Sequence, residues 1–208
     1  MLGLQLDLIT WSFVRDSAYC EYMAYLNTLN GRYKPVAKRG KAKAIVKKAL
    51  SELGLRYSME PVADTVDGVT FYLRPDAVIF DDNKTKAVMM LKAYIRRNAR
   101  VYESDFIPLY IAGYLLEKAG IRVEGSKLVV IASKSESDLL NSIKNLATGI
   151  MEAGEVTVKY RVYMEETALR FITRILGLVK GYRKPIPAST PPKCSTCTYK
   201  DECTYRVL

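Results

Sequence analysis

The chain has 208 residues, of which 49% are hydrophobic and 26% charged, and it carries a formal net charge of +10 with no histidine. That length suits one domain with a real core, and that balance excludes a disordered chain. No run of roughly 18 apolar residues suits a membrane span, and MLGLQLDLITWSFVRD lacks the marks of a signal peptide, so the expectation is a cytoplasmic protein that meets no membrane.

Residues 12–30 predict a helix, because Phe13, Ala18, Cys20, Tyr22, Met23, Tyr25, Leu26 and Leu29 make an apolar segment that stops near Asn30-Gly31. Cys20 is therefore expected on or near that helix. A second, amphipathic helix is predicted over 38–53, with Ile45, Val46, Ala49, Leu50 and Leu53 as its buried stripe and Gly54 as its stop. Its other face is basic: residues 32–51 hold Arg32, Lys34, Lys38, Arg39, Lys41, Lys43, Lys47 and Lys48 without one acid. Such a stripe neutralises phosphates and releases their counterions. A solvated helix face in a protein from a hot environment accounts for the same residues.

Strand-like runs follow at 56–62, at 69–80 after the Asp67-Gly68 turn, and at 87–95 after the polar turn Asp81-Asp82-Asn83-Lys84. Residues 105–119 read as a helix stopped by Gly120, and 127–132 (KLVVIA) as a buried strand. Helix 135–153, strand 156–163 and helix 165–179 complete a mixed α/β fold. The character changes at Tyr182, where the proline-rich RKPIPASTPPK predicts an extended connector to CSTCTYKDEC. A segment this short has no core of its own and needs a cofactor and a docking surface. The boundaries are thus a domain over 1–181, which contributes Cys20, and a cysteine-rich segment over 182–208.

In a reducing compartment four cysteines point to metal before disulfides. Cys194, Cys197 and Cys203 are spaced to converge on one centre, and a fourth ligand must come from Cys20 or a carboxylate. Spacing alone admits a four-cysteine zinc site as readily as an iron-sulfur cluster, and a buried core thiol is the lesser alternative for Cys20.

One cysteine in an N-terminal helix (SFVRDSAYCEYMAYL), the middle motifs GVTFYLRPDAVIF and KAVMMLKAYI, and a terminal Cys-x2-Cys-x5-Cys (PPKCSTCTYKDEC) together resemble the iron-sulfur RecB-like nucleases. Within them the chain most resembles the CRISPR-associated exonucleases, the fourth numbered Cas family. The resemblance implies a PD-(D/E)xK (restriction-endonuclease-like) core, a mixed sheet flanked by helices, with a C-terminal subdomain closed by the N-terminal helix. There Cys20, Cys194, Cys197 and Cys203 would hold a 4Fe-4S cluster. It also implies a Mg2+- or Mn2+-dependent DNA exonuclease that trims ends for spacer acquisition beside integrase proteins.

In that core carboxylates gather the cation, the metal acidifies a water, and a lysine positions it. Asp76, after Pro75, and Lys92 match the pattern, but Met90 stands where the acidic ligand belongs, 14 positions after Asp76. A thioether is too soft for a hard cation. The family's upstream histidine falls near Lys43 or Ala44, and its Gln-x3-Tyr motif at Pro108 and Ala112, with Tyr110 and Tyr114 nearby but no glutamine. A carboxylate from elsewhere, Glu52, Glu60, Asp81, Asp82, Glu103 or Asp105, could complete the site, although Asp81 and Asp82 are also good turn formers.

The favoured expectation is a catalytically depleted relative that binds DNA, with Lys38, Arg39, Lys41, Lys43, Lys47, Lys48, Arg96, Arg97 and Arg100 as phosphate contacts. An active nuclease with a migrated ligand, and a protein that coats nucleic acid, are the alternatives. Nothing in the sequence specifies an oligomeric state.

Overall fold

The strand-forming runs divide between two sheets in a computed structural model that describes residues 4, 6–33, 40–148, 156–188, 190–195 and 197–206. In chain order the first half holds β1 (Leu8–Thr10), α1 (Trp11–Tyr19), α2 (Glu21–Leu29), α3 (Lys41–Glu52), β2 (Tyr57–Ser58), β3 (Val62–Val66), β4 (Val69–Leu73) and β5 (Ala77–Phe80). The second half holds β6 (Ala87–Ile95), a 3-10 turn (Glu103–Asp105), α4 (Ile107–Lys118), β7 (Lys127–Ser133), α5 (Glu136–Thr148), β8 (Val156–Val162), α6 (Glu165–Val179) and α7 (Pro191–Ser195).

Both sheets are mixed. The smaller has the order β1-β4-β3, with β1 parallel and β3 antiparallel to β4. The larger has the order β2-β5-β6-β7-β8, in which only β6 and β7 run parallel. Two expected strands are therefore broken. The run 56–62 supplies β2 to one sheet and β3 to the other, and the run 69–80 is cut at Arg74-Pro75-Asp76, because proline cannot donate to a ladder.

The larger sheet is buried on both faces. Leu91 and Ala93 of β6, with Val129 and Ile131 of β7, meet Val46 and Leu50 of α3 and Leu139 and Ile143 of α5. Met90, Leu128 and Val130 point the other way, into the core formed with α1, α4, α6 and the small sheet. This alternation is the pleat of a strand, and it explains why 127–132 reads as an unbroken apolar run.

The single helix expected over 12–30 is two. Cys20 closes α1 through its N–H to the Asp16 carbonyl (2.8 Å) and opens α2 as its N-cap, in extended backbone (φ −161°, ψ 112°). No glycine or proline forces the break, and Glu21 in the first turn suits the positive end of α2. The basic helix starts at Lys41 after Gly40, so Lys38 and Arg39 lie outside the described residues, as does 149–153 of the expected fifth helix. Part of the expected extended connector coils into α7. No described helix is long and apolar enough to cross a membrane.

Gly113 in α4 lets that helix close on the sheet: a Cβ there would lie 2.6 Å from the Tyr163 ring and 3.0 Å from the Met90 methyl. The ring cannot retreat, since the Tyr163 hydroxyl donates to Glu117 (2.8 Å) and its N–H to the Ser126 carbonyl (2.9 Å). Gly113→Ala is expected to cost about 1–3 kcal/mol by overpacking, read as a fall in Tm of about 3–10 °C. An unchanged Tm would show that the contact is slack.

Candidate functional site

Asp76 lies just before β5 and is 4% exposed. Its Oδ1 accepts from Lys92 Nζ at 3.1 Å, its Oδ2 accepts the Ala93 N–H at 2.8 Å, and its own N–H donates to the Leu91 carbonyl at 2.8 Å. The two residues expected in the catalytic centre thus meet, and both carboxylate oxygens are spent on β6. Met90 shares the sheet face of Lys92 but is fully buried, its methyl against Gly113 of α4. Position 90, where the resemblance would put an acidic ligand, is therefore a core position without contact with solvent.

The carboxylates that could have migrated are committed elsewhere. Glu52 pairs with Lys144 (2.6 Å) and Glu103 with Arg161 (2.5 Å). Asp81 accepts the Thr85 and Lys86 N–H groups (2.9 and 3.1 Å), the turn role expected of it. Glu60 and Asp82 are exposed and do not line the cleft at Asp76. Pro108, Tyr110 and Ala112 are buried within α4.

Asp105, 1% exposed, takes a two-pronged grip from Arg96 (2.7 Å to each oxygen) and the Tyr102 N–H (3.0 Å). Arg96 also donates to the Arg100 carbonyl (2.7 Å) and lies over the Tyr94 ring (3.8 Å). The Arg96 guanidinium, expected as a phosphate contact, braces the loop after β6.

Beside the Asp76–Lys92 pair opens a cleft of about 720 Å3. Arg15, Lys41, Lys43, Arg74, Lys92 and Lys134 line it against two acids, Asp76 and Glu136, and each acid faces a lysine (Lys92 at 3.1 Å, Lys41 at 3.4 Å). The field in the cleft is positive. Lys92 Nζ sits over the Trp11 ring (4.7 Å), whose Nε1 donates to the Tyr94 hydroxyl (3.3 Å). Arg74 donates to the Tyr72 hydroxyl (2.8 Å), while its buried Nε meets no acceptor among the described residues. Lys43 also donates to the Met59 carbonyl (2.8 Å). Lys47 and Lys48 are exposed on α3, and Arg97 and Arg100 are exposed after β6, outside the cleft lining.

The second cluster is the cysteines. Cys20, Cys194, Cys197 and Cys203 line one small pocket between α1, α2 and the chain after 187. Burial pushes the Cys197 thiol up; the Tyr199 N–H works against that, and the negative charge of Cys20, Cys203 and Cys194 nearby adds to it. Cys20 Sγ accepts the Ala188 N–H at 3.3 Å, and Cys197 Sγ the Tyr199 N–H at 3.5 Å. Among the described residues no three His, Cys, Asp or Glu side chains are arranged to hold a metal ion. The four thiols nevertheless line one space.

Sequence reasoning missed Trp11, Arg15, Arg74 and Lys134, which no spacing motif connects. It also missed Glu21, although a lone acid in the apolar SAYCEYMAYL was a visible signal. Glu21 is 4% exposed and accepts from Arg174 (3.1 and 2.8 Å), Arg183 (2.6 and 2.7 Å) and the Ile186 N–H (2.8 Å). Burial alone would raise its carboxyl, but the hydrogen bonds from Arg183, Ile186 and Arg174 outweigh it and hold the group below the usual carboxylate range.

No protein-family model matches the chain. No curated protein matches it either. Among solved structures the chain is similar to the crystal structure of SSO0001, a Sulfolobus protein, at 14% identity and a TM-score of 0.46, over 97% of this chain and 88% of that one. A likeness of that depth carries no assignment.

Proposed function

We propose that this protein binds DNA through the basic cleft, as a relative of the CRISPR-associated RecB-like exonucleases whose metal-dependent nuclease centre is degraded. The observation that carries the reading is Met90. An acid at that position would complete a cation site with Asp76, but the side chain present is a thioether sealed under α4, and Asp76 already satisfies Lys92 and Ala93. Arg74, Lys92, Lys41 and Lys134 then serve to attract phosphates, with contacts set by backbone charge and little base readout.

In the same reading the four cysteines hold an iron-sulfur cluster. Supporting the reading are the one pocket that all four thiols line and the N–H groups aimed at Cys20 and Cys197, which would hydrogen-bond the sulfurs of such a centre. When bound, the cluster would tie the tail to α1 and α2 as a structural staple.

Four measurements test these readings. Binding of labelled single-stranded and duplex DNA is expected to weaken steeply with salt, with a log–log slope of about −3 for four phosphates neutralised on a single strand. Mn2+ should produce no cleavage that Asp76→Ala abolishes; cleavage lost in that variant would restore the active-nuclease reading, and cooperative coating of long DNA the packaging one. Met90→Glu should lower stability by more than about 3 kcal/mol, by burying an unpaired charge, and should gain no Mn2+-dependent cleavage. A stable, cleaving Met90→Glu protein would mean that the position opens to solvent. Protein purified without oxygen should contain iron and acid-labile sulfide; stoichiometric zinc without sulfide would replace the cluster with a zinc site.

A further inference from the structure

The contacts around Glu21 form a continuous chain that ends at a cysteine. Arg174 projects from α6, and the stem of Arg183 lies against Gly177 of the same helix, with its Nε 3.4 Å from where a Cβ would stand. Both guanidiniums grip Glu21, the residue after Cys20, in the first turn of α2. The same carboxylate accepts the Ile186 N–H, and two residues on the Ala188 N–H donates to Cys20 Sγ. One buried carboxylate therefore sets where the connector lies against the sulfur of Cys20.

The far end of the tail is held separately. The Tyr199 hydroxyl, on a 4% exposed side chain, donates to Asn27 Oδ1 (2.9 Å) and accepts from Asn30 Nδ2 (3.2 Å), while Lys193 Nζ donates to the Tyr19 carbonyl (3.1 Å). Polar groups of α1 and α2 thus supply the docking surface that the sequence reading expected beside a cofactor.

We infer that Glu21 is the positioning residue of the four-cysteine centre: gripped by Arg174 and Arg183, it fixes the connector so that the tail cysteines meet Cys20 before any metal arrives. The inference rests on the reading that these cysteines hold a cluster. Its chemical content is preorganisation. A short tail that wandered would pay the ordering cost when the cluster formed, whereas a latched tail has already paid it.

The test uses the full chain, made apo by chelation and reloaded anaerobically with ferrous iron and sulfide. Variants are Glu21→Gln, which loses the charge, and Arg183→Ala, which unlatches the connector without touching the interior of α2, with Arg183→Lys as the conservative rescue. Reloading followed by absorbance should slow, and chelator-driven cluster loss should quicken, by about ten-fold or more in the first two variants. Arg183→Lys should recover part of both. Hydrogen exchange at the Ile186 and Ala188 amides should be slow in apo wild type and fast in both unlatched variants. Wild-type kinetics and protected amides in Glu21→Gln and Arg183→Ala would overturn the positioning role. A wild-type chain that takes up no cluster would overturn the cofactor reading on which the inference rests, while the amide exchange would still report whether Glu21 latches the connector.

Discussion

Strand β6 has no solvent-facing side over most of its length, because it lies in the middle of the five-stranded sheet with helices on both faces. Its central residues must each enter one of two cores, and the pleat decides which. Leu91 and Ala93 enter the core under α3 and α5, and Met90 enters the one under α4. Lys92, two residues on, shares the face of Met90 but reaches the edge of that core, where Trp11, Tyr94 and Asp76 surround its ammonium group. The geometry that brings an aspartate and a lysine together therefore also drives the residue between them into apolar packing, and a methionine is what that packing accepts.

Buried acids follow one pattern throughout. Asp76, Asp105 and Glu21 are each at most 4% exposed, and each is matched by a cation and at least one backbone N–H. An ionised group taken out of water is tolerated only when its lone pairs are satisfied in this way. Each of the three also joins separate pieces of chain: Asp76 ties the start of β5 to β6, Asp105 ties the 3-10 turn to Arg96 after β6, and Glu21 ties α2 to α6 and the connector.

The positive cleft and the cysteine pocket lie at different places on the molecule, joined through α1, which supplies Trp11 and Arg15 to the first and Tyr19 to the second. The cysteine pocket has cations of its own, Lys193, Lys200 and Arg206, beside apolar and aromatic neighbours, and burial there pushes the Cys197 thiol up.

Elements with an unambiguous period were legible in the chain itself. The bounds of β6 and α6 agree with the apolar patterns at 87–95 and 165–179, and β7 with the run at 127–132 to within a residue, since a strand covered on both faces and an amphipathic helix each leave a distinct pattern. The same residues identified the Asp76 and Lys92 pair, the gathering of four cysteines and the basic helix. What local pattern could not decide was where continuous apolar runs divide. The break at Cys20 between α1 and α2, and the sharing of residues 56–62 and 69–80 between two sheets, depend on partners outside the local run, from neighbouring strands to segments far along the chain. Nor could it reveal that Arg96 would serve Asp105, or that Glu21 would be drawn inside by Arg174 and Arg183. Composition and period reside in the chain, but the pairing of a buried charge is a property of the space in which it is buried, and only the tertiary structure creates that space.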